Sequence, residues 1–312
     1  MPAPRFRATI GYIGLVVNKR SETGVTSIEH GFVAHNGISL HCASAGTPGD
    51  GEPPLILLHG FPDHWIGWRH QMTGHAGLVI APDGRGVNLS DAPDEVSAYD
   101  LSALVADVLA IADHYAPGQV VDIAGHDWGG VVAWAVAQAT PQRVRKLLVI
   151  NAPHPFVLGR ALAIDPEQRQ RSAYIKALRA PGAEERLALD RFAALRGAFK
   201  EVELAGQFPP PIVDSHIAAW SRPGRLRGAL NWYRAATFLN DGGVSQKPSA
   251  EIETPTLMIW GAQDTVLPPA LIDAHRAFVR SLDVEIVADA GHWPHQERPQ
   301  VLAERISAWF RY

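Results

Sequence analysis

Gly125-His126-Asp127-Trp128-Gly129-Gly130 stands between a short apolar run, Val120 to Ala124, and a stretch of small and apolar residues, Val131 to Ala139. The first reads as a buried strand and the second as a helix. A strand that turns this abruptly into a helix forces its central residue into a strained conformation, so the residues two before and two after it must be small. Gly125 and Gly129 meet that demand. The spacing is that of a nucleophile elbow, whose central residue is usually a serine; here it is a carboxylate, Asp127.

Outward from the elbow, strand and helix signals alternate. Gly31 to His35 and Ile38 to Ala43 are predicted strands joined by Asn36-Gly37, the strongest short-range hairpin signal. Pro54 to Leu58 and Leu78 to Ala81 are continuous apolar runs suited to strands buried on both faces, and Lys146 to Ile150 reads as another buried strand. Thr256 to Trp260 and Val284 to Val287 resume the pattern near the end. Tyr99 to Tyr115 carries apolar residues at helical spacing, and Pro299 to Phe310 is predicted as a closing helix. This is the signature of an α/β fold: a mostly parallel central sheet with helices on both faces. From about His154 to Ala236 the strand runs stop. Helices are predicted from Asp165-Pro166-Glu167-Gln168 to Pro181-Gly182, over Glu184 to Phe199, over Ile212 to Trp220 and over Arg225 to Leu239. The expected organisation is an N-terminal arm (1–27), a core from 28–153 and 237–312, and an inserted helical cap at 154–236.

Composition narrows the function classes. With 46% hydrophobic and 19% charged residues, 312 residues can bury one large core. A formal net charge of −4 gives no basic footprint for nucleic acid or an anionic membrane surface. The single cysteine, Cys42, rules out an intramolecular disulfide, fits a reducing compartment and so a cytoplasmic location, and reads as a small buried hydrophobe. Arg5 and Arg7 precede an apolar run, Ala8 to Val17, that imitates a signal peptide; it lacks a small-residue cleavage site and is too short to span a bilayer, so an arm is the favoured reading.

Ligands in open parallel sheets gather beyond the carboxyl ends of the strands. Asp127, Asp264 and His292 each sit just past such an end, in the chain order nucleophile, acid, base. An Asp after a strand is often a helix cap, and Gly291-His292 alone could be an ordinary turn. Three in order and in register carry more weight.

With these residues stand His59-Gly60-Phe61-Pro62, Trp65, Trp68-Arg69-His70-Gln71, Gly261-Ala262-Gln263-Asp264 and Ala290-Gly291-His292-Trp293. From about Glu29 onward the chain resembles the epoxide hydrolases of the α/β-hydrolase superfamily, with haloalkane and haloacetate dehalogenases as nearest relatives. Leu230-Asn231-Trp232-Tyr233-Arg234 is similar to the family segment carrying one ring-opening tyrosine, and Tyr174, before Pro181-Gly182, to the other. The resemblance implies opening of an apolar epoxide to a vicinal diol, with water and no cofactor or metal. Residue chemistry agrees. An Asp nucleophile forms an ester with the substrate, and water must then attack the protein's own carboxyl carbon. His292, oriented by Asp264, is the expected base, and the backbone N–H groups of Phe61 and Trp128 the oxyanion donors, worth about 3 kcal/mol each. Phe61, Pro62, Trp65 and Trp128 are the expected substrate-binding residues.

Other readings remain open. By stripe alone Tyr233, with Leu226, Leu230 and Thr237, and Tyr174, with Ala177 and Leu178, fit core packing as well as catalysis. Trp68 could line the pocket or anchor a helix; His126 reads as a supporting residue, and His154 and His295 have no assigned role. His292, His295 and Glu297 form no standard zinc spacing. The alternative function is dehalogenation by the same Asp nucleophile, although the elbow offers no arginine for a haloacetate and Phe61 stands where haloalkane enzymes often carry a polar side chain. A non-catalytic ligand receptor on this fold is the third reading. After Asp83 the loop Gly84 to Asp91 departs from the family pattern.

Overall fold

Asn36 and Gly37 both adopt left-handed conformations (φ 46° and 78°), the backbone a two-residue hairpin requires. They join β1 (Ile28–His35) to β2 (Ile38–Ala45). The computed structural model describes residues 20–21, 24–25, 27–49, 52–240 and 251–311. The expected arm lies outside these residues, the run Ala8 to Val17 included, except that Arg20–Ser21 and Gly24–Val25 form a short antiparallel pair.

Six further strands complete the main sheet: β3 (Leu55–Leu58), β4 (Val79–Pro82), β5 (Val121–His126), β6 (Val144–Ile150), β7 (Thr256–Gly261) and β8 (Leu282–Val287). Their spatial order is β8-β7-β6-β5-β3-β4-β2-β1, parallel except where β2 runs against β1 and β4. Every residue of β3, β4, β5 and β7 is buried, which explains why those segments read as mostly apolar; in β5 the buried Asp122 is paired with Arg145. The edge strands β1 and β8 are only partly buried and carry the polar residues. Helices α1 (Leu101–Tyr115), α2 (Trp128–Ala139) and, at the end, α10 (Pro299–Phe310) bury apolar stripes in the same core. Cys42 is wholly buried, and burial beside Asp83 pushes its thiol up to about 12, so it is an inert packing residue.

Register positions the site. Leu58 pairs with Gly125, His126 with Ile150, and Ile150 with Ile259, so the carboxyl ends of β3, β5, β6 and β7 finish level. The residues that follow them therefore share one edge.

Between β6 and β7 the described residues contain no named strand. They fold as α3 (Pro155–Ile164), α4 (Pro166–Arg171), α5 (Tyr174–Arg179), α6 (Ala183–Gly197), α7 (Lys200–Leu204), α8 (Pro210–Ser221) and α9 (Arg225–Ala235). The predicted helix opening at Asp165 is in fact two. Asp165 caps α4 by accepting from the Glu167 amide at 2.9 Å, but Ser172, bonded to Gln168, ends it before Tyr174 opens α5. The predicted helix Glu184 to Phe199 is broken at Leu189–Phe192, where Asp190, Arg191 and Phe192 have positive φ and Phe192 packs on Trp220. Helix α9 stops at Ala235, so Thr237 is exposed in a following 3₁₀ turn, off the predicted stripe. Helices α3 and α7 were not expected. The insertion is tied to the core by His216 Nε2 to Asp63 Oδ1 (2.8 Å) and by the Trp220 indole donating to the Pro62 carbonyl (2.7 Å). No helix among the described residues is long and apolar enough to cross a membrane.

Candidate active site

Asp127 has φ 50° and ψ −120°, a conformation that costs a non-glycine residue about 1–3 kcal/mol. Close packing imposes it. A Cβ at Gly129 would stand 2.1 Å from the Leu58 carbonyl oxygen, and one at Gly125 would stand 2.3 Å from that of Gly129. The turn therefore holds the Asp127 carboxylate clear of β5, over the loop that follows β3. There the Phe61 amide donates to Asp127 Oδ1 at 2.8 Å, and Gly60 leaves room for the approach.

His292 follows β8 on a loop fixed by Glu297, which accepts from the amides of Gly291 (2.8 Å) and Trp293 (2.9 Å). Its Nδ1 lies 2.7 Å from Asp264 Oδ2, and its Nε2 lies 3.6 Å from Asp127 Oδ2. Asp264 is further held by the amides of Val266 and Leu267 on Oδ1, both at 2.8 Å. Burial opposes an imidazolium, but the charges of Asp264 and Asp127 and their hydrogen bonds outweigh it and push His292 up to about 10. The same coupling holds both carboxylates below their ordinary value despite burial.

Tyr174 and Tyr233 join Asp127 and Trp128 around a cavity of about 30 Å³. The Tyr233 ring packs edge-on against Phe61 (5.2 Å), Trp128 (5.1 Å) and Tyr174 (6.5 Å). Desolvation, then neighbouring groups including the Asp127 carboxylate, pushes both phenols above their ordinary value. Tyr174 keeps 40% of its surface accessible.

The structure thus brings five of the expected side chains, Asp127, Asp264, His292, Tyr174 and Tyr233, to one end of the sheet. Phe61 and Pro62 face an adjoining pocket with Trp220 and Trp232. Trp65 goes elsewhere. Its amide donates to Asp83, and its indole packs on His30 and His64 because the Trp65–Trp68 turn runs behind the Phe61 loop. Trp68 is fully buried against His295, which makes it an anchor. His126 approaches the His292 carbonyl (2.8 Å), and His154 caps α3 through Nδ1. Among the described residues no three His, Cys, Asp or Glu side chains converge as a metal site.

Asn151 was missed from the sequence. Its Nδ2 donates to Asp264 Oδ2 at 2.6 Å and its Oδ1 accepts from the Gly261 amide at 3.0 Å, so it fixes the acid from the neighbouring strand. Its place just past β6, level with Asp127 and Asp264, was the available signal.

A model of the alpha/beta hydrolase family matches residues 55–305. The chain belongs to this family. Within it, the chain is 37% identical to the AB hydrolase superfamily protein YfhM of Bacillus subtilis over 90% of this chain and 97% of that one. It is 31% identical to epoxide hydrolase A of Mycobacterium tuberculosis, covering 85% and 91%. Among solved structures, an epoxide hydrolase of Bacillus megaterium in complex with an inhibitor superposes with a TM-score of 0.82 at 27% identity, covering 89% and 99%.

Proposed function

We propose that this alpha/beta hydrolase opens an epoxide to a vicinal diol through an ester on Asp127. The observation that carries the reading is the pair of phenols, Tyr174 and Tyr233, lining the same cavity as the carboxylate nucleophile. Relatives named epoxide hydrolase support it. With Oδ1 held by the Phe61 amide, Oδ2 attacks an epoxide carbon; the carbon–oxygen bond breaks and the departing oxygen takes a proton from a tyrosine hydroxyl. Phenols pushed above their ordinary value stay protonated at neutral pH, which suits that role.

Esterification removes the Asp127 charge. One of the groups that keep His292 protonated is then gone and its proton affinity falls; its proton makes good the one the tyrosine gave up in ring opening, and the neutral imidazole takes a proton from water as that water attacks Asp127 Cγ. The Phe61 and Trp128 amides hold the oxyanion. Collapse releases the diol as the leaving alkoxide oxygen takes the proton from His292, and the Asp127 acid, now carrying one oxygen from water, returns its own proton to the imidazole and restores the carboxylate–imidazolium pair. The inserted helices serve as the cap that delivers the tyrosines.

The dehalogenase reading shares the nucleophile but has no use for two phenols, and no lysine or arginine lines the Asp127 cavity to hold a haloacetate. A single turnover in ¹⁸O-water with excess enzyme is the test. The expected result is unlabelled diol and label in the Asp127 carboxylate; label in the first-turnover diol refutes the ester. Halide release from haloalkanes or haloacetates, with no diol formed from an epoxide panel, would establish the dehalogenase.

A further inference from the structure

The cavity against Asp127, about 30 Å³, has room for little more than water. A second cavity of about 490 Å³, within the range of ligand sites, lies directly beside it. Trp128 and Phe238 belong to the walls of both. Their rings meet at 5.9 Å, and nothing else shared by the two linings separates the small cavity from the large one.

The two partition residues are both buried but sit on different kinds of element. Trp128 opens α2 at the elbow and packs edge-on against Trp232 and Tyr233 as well as Phe238. Phe238 sits on the three-residue turn Thr237–Leu239 that follows α9, and its side chain has no polar atom to anchor it. The large cavity is floored by Leu101, Leu104 and Trp232, with Ala235 and Ala236 on one wall. Asp100 is the one charged side chain in its lining.

Resting on the epoxide reading above, we infer that the large cavity is the subsite for the substrate's substituent, and that Phe238 is the movable partition which admits it. The substrate class follows from the lining. It is an epoxide with an extended, uncharged and mostly apolar group, aryl or alkyl; a carboxylate or phosphate on that group would meet Asp100 with no cation to offset it. Swinging Phe238 aside joins the cavities and places the epoxide carbon at Asp127 while the substituent lies over Leu104. A short-chain epoxide needs far less of this joining than a phenylalkyl one, because it leaves the large cavity unfilled.

Two measurements test this. Hydrolysis of 1,2-epoxybutane and of a phenylalkyl terminal epoxide is compared in the wild type, Phe238→Ala and Ala235→Phe. The expected ratio of kcat/KM, large over small, rises at least fivefold in Phe238→Ala and falls at least tenfold in Ala235→Phe, which fills the wall. Unchanged ratios overturn the subsite. Because the comparison presupposes epoxide turnover, calorimetric binding of an uncharged phenylalkyl amide provides an independent arm. At least tenfold weaker binding to Ala235→Phe, or to the rim variant Thr237→Trp, supports the subsite; equal affinity in both overturns it. Loss of diol formation from every epoxide with selective amide binding intact would remove the epoxide reading and leave the cavity.

Discussion

Nε2 of His292 stands 3.6 Å from Oδ2 of Asp127, too far for a strong hydrogen bond and close enough for each charge to set the other's ionisation. On the ester mechanism proposed above, His292 takes part in the second half-reaction rather than the first. His292→Gln is expected to consume one equivalent of epoxide per site and stop, with the enzyme heavier by the mass of the substrate. Intact-protein mass spectrometry reads the adduct. Multiple turnover at an undiminished rate would contradict the assignment.

The same charge coupling fixes a sign for stability. The folded-state pKa of His292 is raised from the ordinary 6.5 to about 10. Its stabilising contribution is therefore fully present below about pH 6.5 and is lost as the pH climbs through about 10. Urea unfolding of the wild type and His292→Gln across pH 6 to 10 should show the stability gap between them narrowing as pH rises. A gap independent of pH would mean that the imidazolium is not what the folded state favours.

Asn151 and His292 meet on the same oxygen of Asp264. Removing the amide takes a charge-assisted hydrogen bond from a carboxylate still held by Val266, Leu267 and His292, a loss of about 1.5–3 kcal/mol. Asn151→Ala should accordingly slow ester hydrolysis by about 10- to 100-fold, with the alkylation step much less affected. Stopped-flow tryptophan fluorescence separates the two steps, and equal slowing of both would point to general disruption.

The two phenols give a graded outcome. Tyr174→Phe and Tyr233→Phe each retain the ring packing and lose the proton donor, and the double variant should lose ring opening by at least about 10²-fold. Unchanged thermal midpoints would accompany this loss if the hydroxyls act in chemistry. Surviving turnover of a good epoxide in the double variant would return both tyrosines to packing.

Asp63 lies wholly inside the protein, tied to His216 at 2.8 Å and Gln296 at 2.8 Å. Burial pushes its pKa up, but hydrogen bonding and charge from His216 win and hold it below the ordinary value. Its contribution is thus present above the ordinary carboxylate pKa and lost on acidification. His216→Ala leaves that charge without its partner on α8 and should destabilise the protein by about 3–5 kcal/mol. Chemical denaturation measures this, and a change under about 1 kcal/mol would show that the insertion is docked by other means.

Local sequence determined the scaffold and the chemistry of the reacting groups. The largely apolar runs of β3, β5 and β7, broken in β5 by Asp122, suit the middle of a sheet, and the Gly125–Gly129 spacing admits only a sharp turn, so the parallel sheet and the placing of Asp127 just past a strand end follow from neighbours in the chain. Asp264 and His292 were legible for the same reason, each standing just past a strand end. The family resemblance named Tyr174 and Tyr233, which their helical stripes alone could not separate from packing. Tertiary structure decided what depends on approach from distant segments. Trp65 turns away because Asp83, His30 and His64 claim it; Asn151 reaches Asp264 across a strand boundary; and Ser172, bonded to Gln168, divides the helix that carries Tyr174. The raised affinity of His292 for its proton belongs to this second class, since it arises from two carboxylates that folding places against one imidazole.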